Sequence, residues 1–437
     1  MIKHAFVVAW LFLICGPANA QKSANAADFA IADGDRVVFY GDSITAQRLY
    51  TKDIEIFVLT RFPDRKVSFF HSGVGGDKVS GGMDGPIDLR LHRDVFDHKP
   101  TVVTIMLGMN DGFYRAFDPD IFESYKAGYI SIVDAIQKKF PQARLTLLKP
   151  SPYDDVTRPE TLAGGYNKVL QRFGAFVGEL ASEKHDGAAD LNAPVVGVLE
   201  GVKAKNSPLE TLLIPDRIHP GPAIHWVMAE SVLKSWGAKP EITFVHIDAG
   251  AKPAAQVSNT EVNELGKSAN RLRWTQVDKA LPLPFGPLDT DPLMQLVLSS
   301  SDLISALDME TLRITSLAAG SYKLQIDGRE IGEFSAEQLA AGINLALLET
   351  PMLEQARRLG ADTEIRTTID RQLFDLAVKP QDQVTPEAVK QLAEAEEKAI
   401  ARQRADARPV AHQYELSPKE TPGAASNPAQ SQKKRAN

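Results

Sequence analysis

Between residue 36 and about residue 238, short apolar runs rich in β-branched and aromatic side chains alternate with helical patterns. The runs are RVVFYG (36–41), KVSFFHSG (66–73), TVVTIMLG (101–108) and ARLTLLKP (143–150). Each is nearly continuous in apolar character and closes on glycine or proline, the pattern of strands buried on both faces. A fifth, shorter strand is expected near AADLNA (188–193). In residues 119–139, Phe122, Tyr125, Tyr129, Val133 and Ile136 recur at helical spacing. A β-α-β-α order predicts a parallel sheet covered by helices.

After Pro240 the pattern changes. EITFVHIDA, RLRWTQV, TLRITSL and YKLQIDGREIGEF read as strands, with Asp327-Gly328 placed as a type I′ hairpin turn between two of them. Residues 21–239 are thus expected to form the α/β domain and 240–335 a small β-rich module, with LPLPFGP (281–287) as an internal loop. Helical patterning returns over 336–414, and its first part, 336–378, is expected to dock back on the α/β domain. Asn344 and Met352 there are read as packing residues rather than cleft residues. Residues 415–437 are polar, with little to bury, and are expected to be a disordered tail.

The first twenty residues, MIKHAFVVAWLFLICGPANA, combine an early lysine, a short apolar run and Ala18-Asn19-Ala20. That is the form of a secretory signal peptide cut after Ala20. No later run reaches the roughly 20 apolar residues of a membrane span, so an exported chain without a transmembrane segment is expected. The single cysteine, Cys15, lies in this leader. Disulfides, thiolate metal sites and a cysteine nucleophile are thereby removed from consideration. The remaining composition is that of an ordinary globular protein of 437 residues, 43% hydrophobic and 24% charged. A net charge of −7 argues against a general nucleic-acid binder. No H-E-x-x-H occurs, and neither a metal nor a cofactor is expected.

The residues able to do chemistry stand at strand ends. Gly41-Asp42-Ser43 joins the first strand to a helix. Its serine either caps that helix or stands as a nucleophile on the sheet edge where ligands of open α/β folds bind. A base is available in Asp216-Arg217-Ile218-His219-Pro220, where the carboxylate three residues back can hold the imidazole. The alternative is a surface loop with an ordinary ion pair. Gly75 and Gly76 follow the second strand and Asn110 the third; they offer a bare backbone N–H and an amide, or simply turn residues. The G-x-S-x-G elbow does not fit, because Thr45 replaces its second glycine, and the glycine stretch fails both nucleotide-loop patterns. His225 is read as packing or surface. Tyr40, Phe113, Tyr114, Lys149 and Tyr153, at or beyond strand ends, either line a cleft or pack at its rim.

Taken in order, GDSIT, GVGGD, GMND and DRIHP resemble the four blocks of the SGNH (GDSL) hydrolase family over roughly residues 36–238. The resemblance implies a flavodoxin-like three-layer α/β/α fold and ester hydrolysis through an acyl-serine. It assigns Ser43 as nucleophile, His219 as general base and then acid, and Asp216 as its orienter. Gly76 and Asn110 would form the oxyanion hole. One position departs: His71 stands where the family often has asparagine. The expected substrate is a small-molecule or polysaccharide ester, with O-acetyl or O-acyl carbohydrate the natural choice for an exported enzyme. Lipid esters are an alternative within the class, and a non-catalytic glycan- or protein-binding protein an alternative outside it.

Overall fold

Five parallel strands form the first sheet: β1 (Arg36–Gly41), β2 (Ser68–Gly73), β3 (Val102–Met106), β4 (Arg144–Lys149) and β5 (Gly187–Asp190), in spatial order β2-β1-β3-β4-β5. The computed structural model describes residues 29–268, 270–285, 291–378 and 385–419. The expected leader, with Cys15, lies outside the described residues, as do 420–437 of the expected tail. The strand order is the flavodoxin-like one, with its switch point between β1 and β3, where a crevice opens beyond the carboxyl ends of the strands. Both faces are covered. Phe39 of β1 meets Tyr50 of α2 (Leu49–Arg61) at 6.4 Å between rings, whereas Arg90 of α3 (Ile87–Asp94) lies over the ring of the next residue, Tyr40. Because successive strand residues face opposite sides, α2 and α3 flank the sheet. The amphipathic stretch at 119–139 is α4 (Pro119–Lys139), with Asp118 capping its N-terminus and Tyr125, Tyr129, Val133 and Ile136 buried.

Beyond the α/β domain the chain builds two further sheets. The four-stranded one contains β6 (Glu241–Asp248), β7 (Ala254–Ser258), β10 (Met309–Thr315) and β13 (Ile343–Asn344). The five-stranded one contains β8 (Thr260–Ser268), β9 (Arg271–Asp278), β11 (Ser321–Ile326), β12 (Arg329–Ser335) and β14 (Ala411–Pro418). Val245, Ile247, Leu312 and Ile314 from the first share one core with Trp274, Leu324, Ile326, Tyr414 and Leu416 from the second. The β11–β12 hairpin turns at Asp327 and Gly328, both at positive φ, as its sequence requires.

The expected boundaries at 335/336 and 414/415 do not divide the structure. Strand β14 pairs with β9 and β11 in the middle of the five-stranded sheet, so residues 411–418 are neither helix nor tail. Alternating burial of His412, Tyr414 and Leu416 holds it there. Only two strongly apolar residues mark that alternation, which is why the pattern reads as polar. Two helices, α11 (Pro351–Ala377) and α12 (Pro386–Asp406), leave the module and return to it. Helix α11 lies along α2 and β2, as expected of a docking segment. The loop at 281–285 and the short helices after it also belong with the α/β core: Leu283, Phe285, Met294 and Val297 join it, and Phe285 meets Trp226 at 5.0 Å. Asn344 bonds Asp308 O and Glu310 N, and Met352 lies in the core of the β module.

One buried carboxyl beneath α11 opposes stability at neutral pH. Burial pushes Asp53 of α2 up to about 8, with Glu364 adding to the shift and Lys52 reducing it. In the unfolded chain the group titrates near 3.9. Between these values the folded state holds a proton that the unfolded state has lost, so stability falls as pH rises. Asp53→Asn removes that dependence. Its gain in melting temperature over wild type should increase from about pH 5 to pH 8 and then level off. Equal gains at both ends would refute the buried-acid account.

Candidate active site

The turn after β1 places Ser43 at the first position of a one-turn helix, α1 (Ser43–Ala46). Asp42 is its N-cap, accepting the N–H of Ile44 at 3.0 Å, so capping is done by the aspartate and the serine hydroxyl is left free for other contacts. Burial, with Asp111 and Asp77 nearby, pushes Asp42 up to about 7. The helix packs so tightly on β2 that a Cβ at Gly73 would lie 2.2 Å from the amide of Ala46; only glycine fits.

The second component arrives on the loop before α7 (Pro222–Ser235). Asp216 Oδ1 accepts the N–H groups of Ile218 and His219 at 2.9 and 2.8 Å, curling the loop into an Asx-type turn. Arg217 between them adopts a positive φ of 72°, held by its guanidinium on the carbonyls of Asp154 and Pro159. The turn aims the side chains: Asp216 Oδ2 lies 2.6 Å from His219 Nδ1, and His219 Nε2 lies 2.8 Å from Ser43 Oγ. Burial alone would push Asp216 up, but the bonds from the His219 amide and imidazole hold it below the usual carboxylate range. An ionised Asp216 takes the proton on Nδ1, which leaves Nε2 as acceptor for the serine hydroxyl.

The remaining candidates follow the carboxyl ends of β2 and β3, the strands on either side of β1. Gly76, at φ +72° and exposed, follows β2, and a Cβ there would meet nothing within 4 Å. Its neighbour Asp77 is locked by Arg90, which lies wholly buried in α3. Asn110, past β3, donates its amide to Asp77 O at 3.0 Å and accepts from the Tyr114 hydroxyl at 2.7 Å. Ser43, at the start of α1, and Asp216, His219, Gly76 and Asn110, on loops, thus stand at one edge of a parallel sheet. Of the five side chains considered as cleft lining, Phe113 and Tyr114 are exposed, by 53% and 40%. Tyr40 is buried against Arg90, Tyr153 packs on Tyr166, and Lys149 is paired with Asp190.

Two supports lay beyond what spacing reveals. His225 is fully buried, accepting Tyr50 N–H at Nδ1 (3.1 Å), so its Nε2–H donates to Gln47 Oε1 (3.1 Å). Burial pushes it down to about 3, and it stays neutral while tying α7, which follows the His219 loop, to the end of α1. From the far end of the sequence, α11 brings Asp370 to Arg48 (3.1 Å) and the Arg371 guanidinium to Ala46 O. Arg48 itself has a φ of +60° and sits between α1 and α2. Where the family often has asparagine, His71 is buried against Thr51 (2.7 Å), Glu55 (3.3 Å) and Arg366 (3.1 Å).

Residues 39–227 match the model of the GDSL-like lipase/acylhydrolase family. The first domain is a GDSL hydrolase. An acetylxylan esterase of Geobacillus stearothermophilus is 23% identical over 231 residues, 47% of this chain and 96% of that protein. The solved structure of BT4096, a gut microbial diltiazem-metabolizing enzyme, superposes with a TM-score of 0.78 at 25% identity. It covers 90% of this chain and all of its own, so the likeness extends from the GDSL domain into the sheets and helices beyond it. With these relatives, the chain is an ester-hydrolysing enzyme.

Proposed function

We propose that this chain is an exported serine esterase that removes short acyl groups through an acyl-serine intermediate. The observation that carries the reading is the chain of short contacts Asp216–His219–Ser43, at 2.6 and 2.8 Å. In this mechanism Ser43 Oγ attacks the ester carbonyl as His219 Nε2 takes its proton. The tetrahedral oxyanion accepts from the backbone N–H groups of Ser43 and Gly76 and from the Asn110 amide. His219 then protonates the leaving alcohol, and a water, activated by the same imidazole, releases the acid and restores Ser43. Asp216 holds the imidazole tautomer throughout and stabilises the imidazolium.

The proposed substrate is an O-acetyl or short O-acyl ester of a polar alcohol, carbohydrate above all. Supporting it are the exposed aromatic rings of Phe113 and Tyr114 beside Asn110, suited to stacking on a sugar ring, and the acetylxylan esterase relative. Export rests on the leader-like first twenty residues. The test is hydrolysis of p-nitrophenyl esters of increasing acyl length, followed by acetate release from acetylated xylan. Turnover should be highest for acetyl and fall with chain length. A preference for long acyl chains would replace this reading with the lipid-ester one.

A further inference from the structure

The turn that carries Asn110 bends in an uncommon way. Phe113 and Tyr114, neighbours and both bulky, have positive φ of 53° and 54°. Such a conformation persists only where the surroundings impose it, and it clusters at functional sites. Here the imposition is visible. Tyr166 is buried and donates its hydroxyl to Met109 O at 2.7 Å, and a Cβ at Gly112 would lie 2.4 Å from that same hydroxyl. Phe113 N–H donates to Asn110 O at 3.2 Å and Arg115 N–H to Gly112 O at 3.3 Å. The Tyr114 ring rests against Tyr166 and Tyr153, 5.2 and 6.3 Å between centroids. What this strained path achieves is the 2.7 Å bond from the Tyr114 hydroxyl to Asn110 Oδ1.

The Asn110 amide is therefore gripped at both ends, its Nδ2 donating one hydrogen to Asp77 O and its Oδ1 accepting from Tyr114. The second hydrogen on Nδ2 is not used by either bond. We propose that Tyr114 is a positioning residue for the oxyanion hole, locking the Asn110 amide and polarising the N–H that meets the oxyanion. A carbonyl oxygen that accepts a hydrogen bond withdraws charge from its own amide nitrogen, which makes the remaining N–H a stronger donor. Burial pushes the Tyr114 phenol up to about 12, so it remains a donor across the neutral range. The inference rests on the reading of Ser43 as nucleophile and Asn110 as oxyanion donor.

The test is a double-mutant cycle on the full chain with p-nitrophenyl acetate. Tyr114→Phe keeps the ring contacts and removes only the hydroxyl. It should lower kcat about fivefold to tenfold, with KM changed by less than about twofold. Acylation and deacylation both pass through an oxyanion, so the loss falls on kcat whichever step limits. Asn110→Ala should lower kcat roughly 10²–10³-fold. In that background Tyr114→Phe should have no further effect, because the group it positions is gone. An equal loss in both backgrounds, a change confined to KM, or wild-type kinetics for Tyr114→Phe would overturn the proposal. Failure of the underlying reading would show separately, as full activity in Ser43→Ala or in Asn110→Ala alone.

Discussion

Ser43→Ala should abolish ester turnover while leaving the fold untouched. Loss of the nucleophile in a serine hydrolase lowers kcat by about 10⁶-fold, and removing the base as well adds little, because the triad acts as a unit. The hydroxyl contributes one bond, to His219 Nε2, and the capping of α1 is done by Asp42. The melting temperature of the variant should therefore match wild type. Ser43→Ala should also cost as much as Ser43→Ala combined with His219→Ala. The measurement is p-nitrophenyl acetate hydrolysis by each purified variant, with labelling by a fluorophosphonate as an independent count of active serine. Residual activity within tenfold of wild type would exclude the acyl-serine mechanism.

How far the sequence discloses this site depends on the range over which each residue's role is set. Strands β1 to β4 and helix α4 are legible because a strand buried on both faces is apolar throughout and a helix packed on one side repeats at 3.6 residues. Ser43, Gly76, Asn110 and the Asp216–His219 pair stand out in the sequence as candidates because each is bound to local turn chemistry at a strand end or helix start. Tyr114 is visible only as an aromatic near a strand end. Its bond to Asn110 depends on two successive positive-φ residues that no composition rule requires. His225, six residues after His219, looks like any helix residue, yet its partners Tyr50 and Gln47 lie over 170 positions earlier. Strand β14 was hidden for the same reason: its pairing partners are β9 and β11, far back in the chain, and its own apolar signal is just Tyr414 and Leu416.

The longest of these connections yields the second large effect, on stability and through it on activity. Arg366 of α11 is buried with Glu55 of α2, their closest atoms 2.7 Å apart, and also bonds Phe69 O in β2. Burial would push Glu55 up, but Arg366, with His71 and Gln403, holds it below the ordinary carboxylate range. Arg366→Ala strands that charge in the interior. Breaking a buried pair from one side costs about 3–5 kcal/mol, so the melting midpoint should fall by roughly 5–10 °C. Hydrogen exchange should quicken in α2 and α11 and remain slow in the β module, whose core is separate. The pair Glu55→Gln with Arg366→Met should recover most of the loss, since replacing both charges removes the desolvation cost as well as the attraction. Activity should follow. One turn beyond Arg366, Asp370 pairs with Arg48 and Arg371 donates to Ala46 O, so α11 braces the end of the helix that begins with Ser43. If Arg366→Ala melts like wild type, this joint is ornamental, and the C-terminal helices contribute nothing to the setting of Ser43.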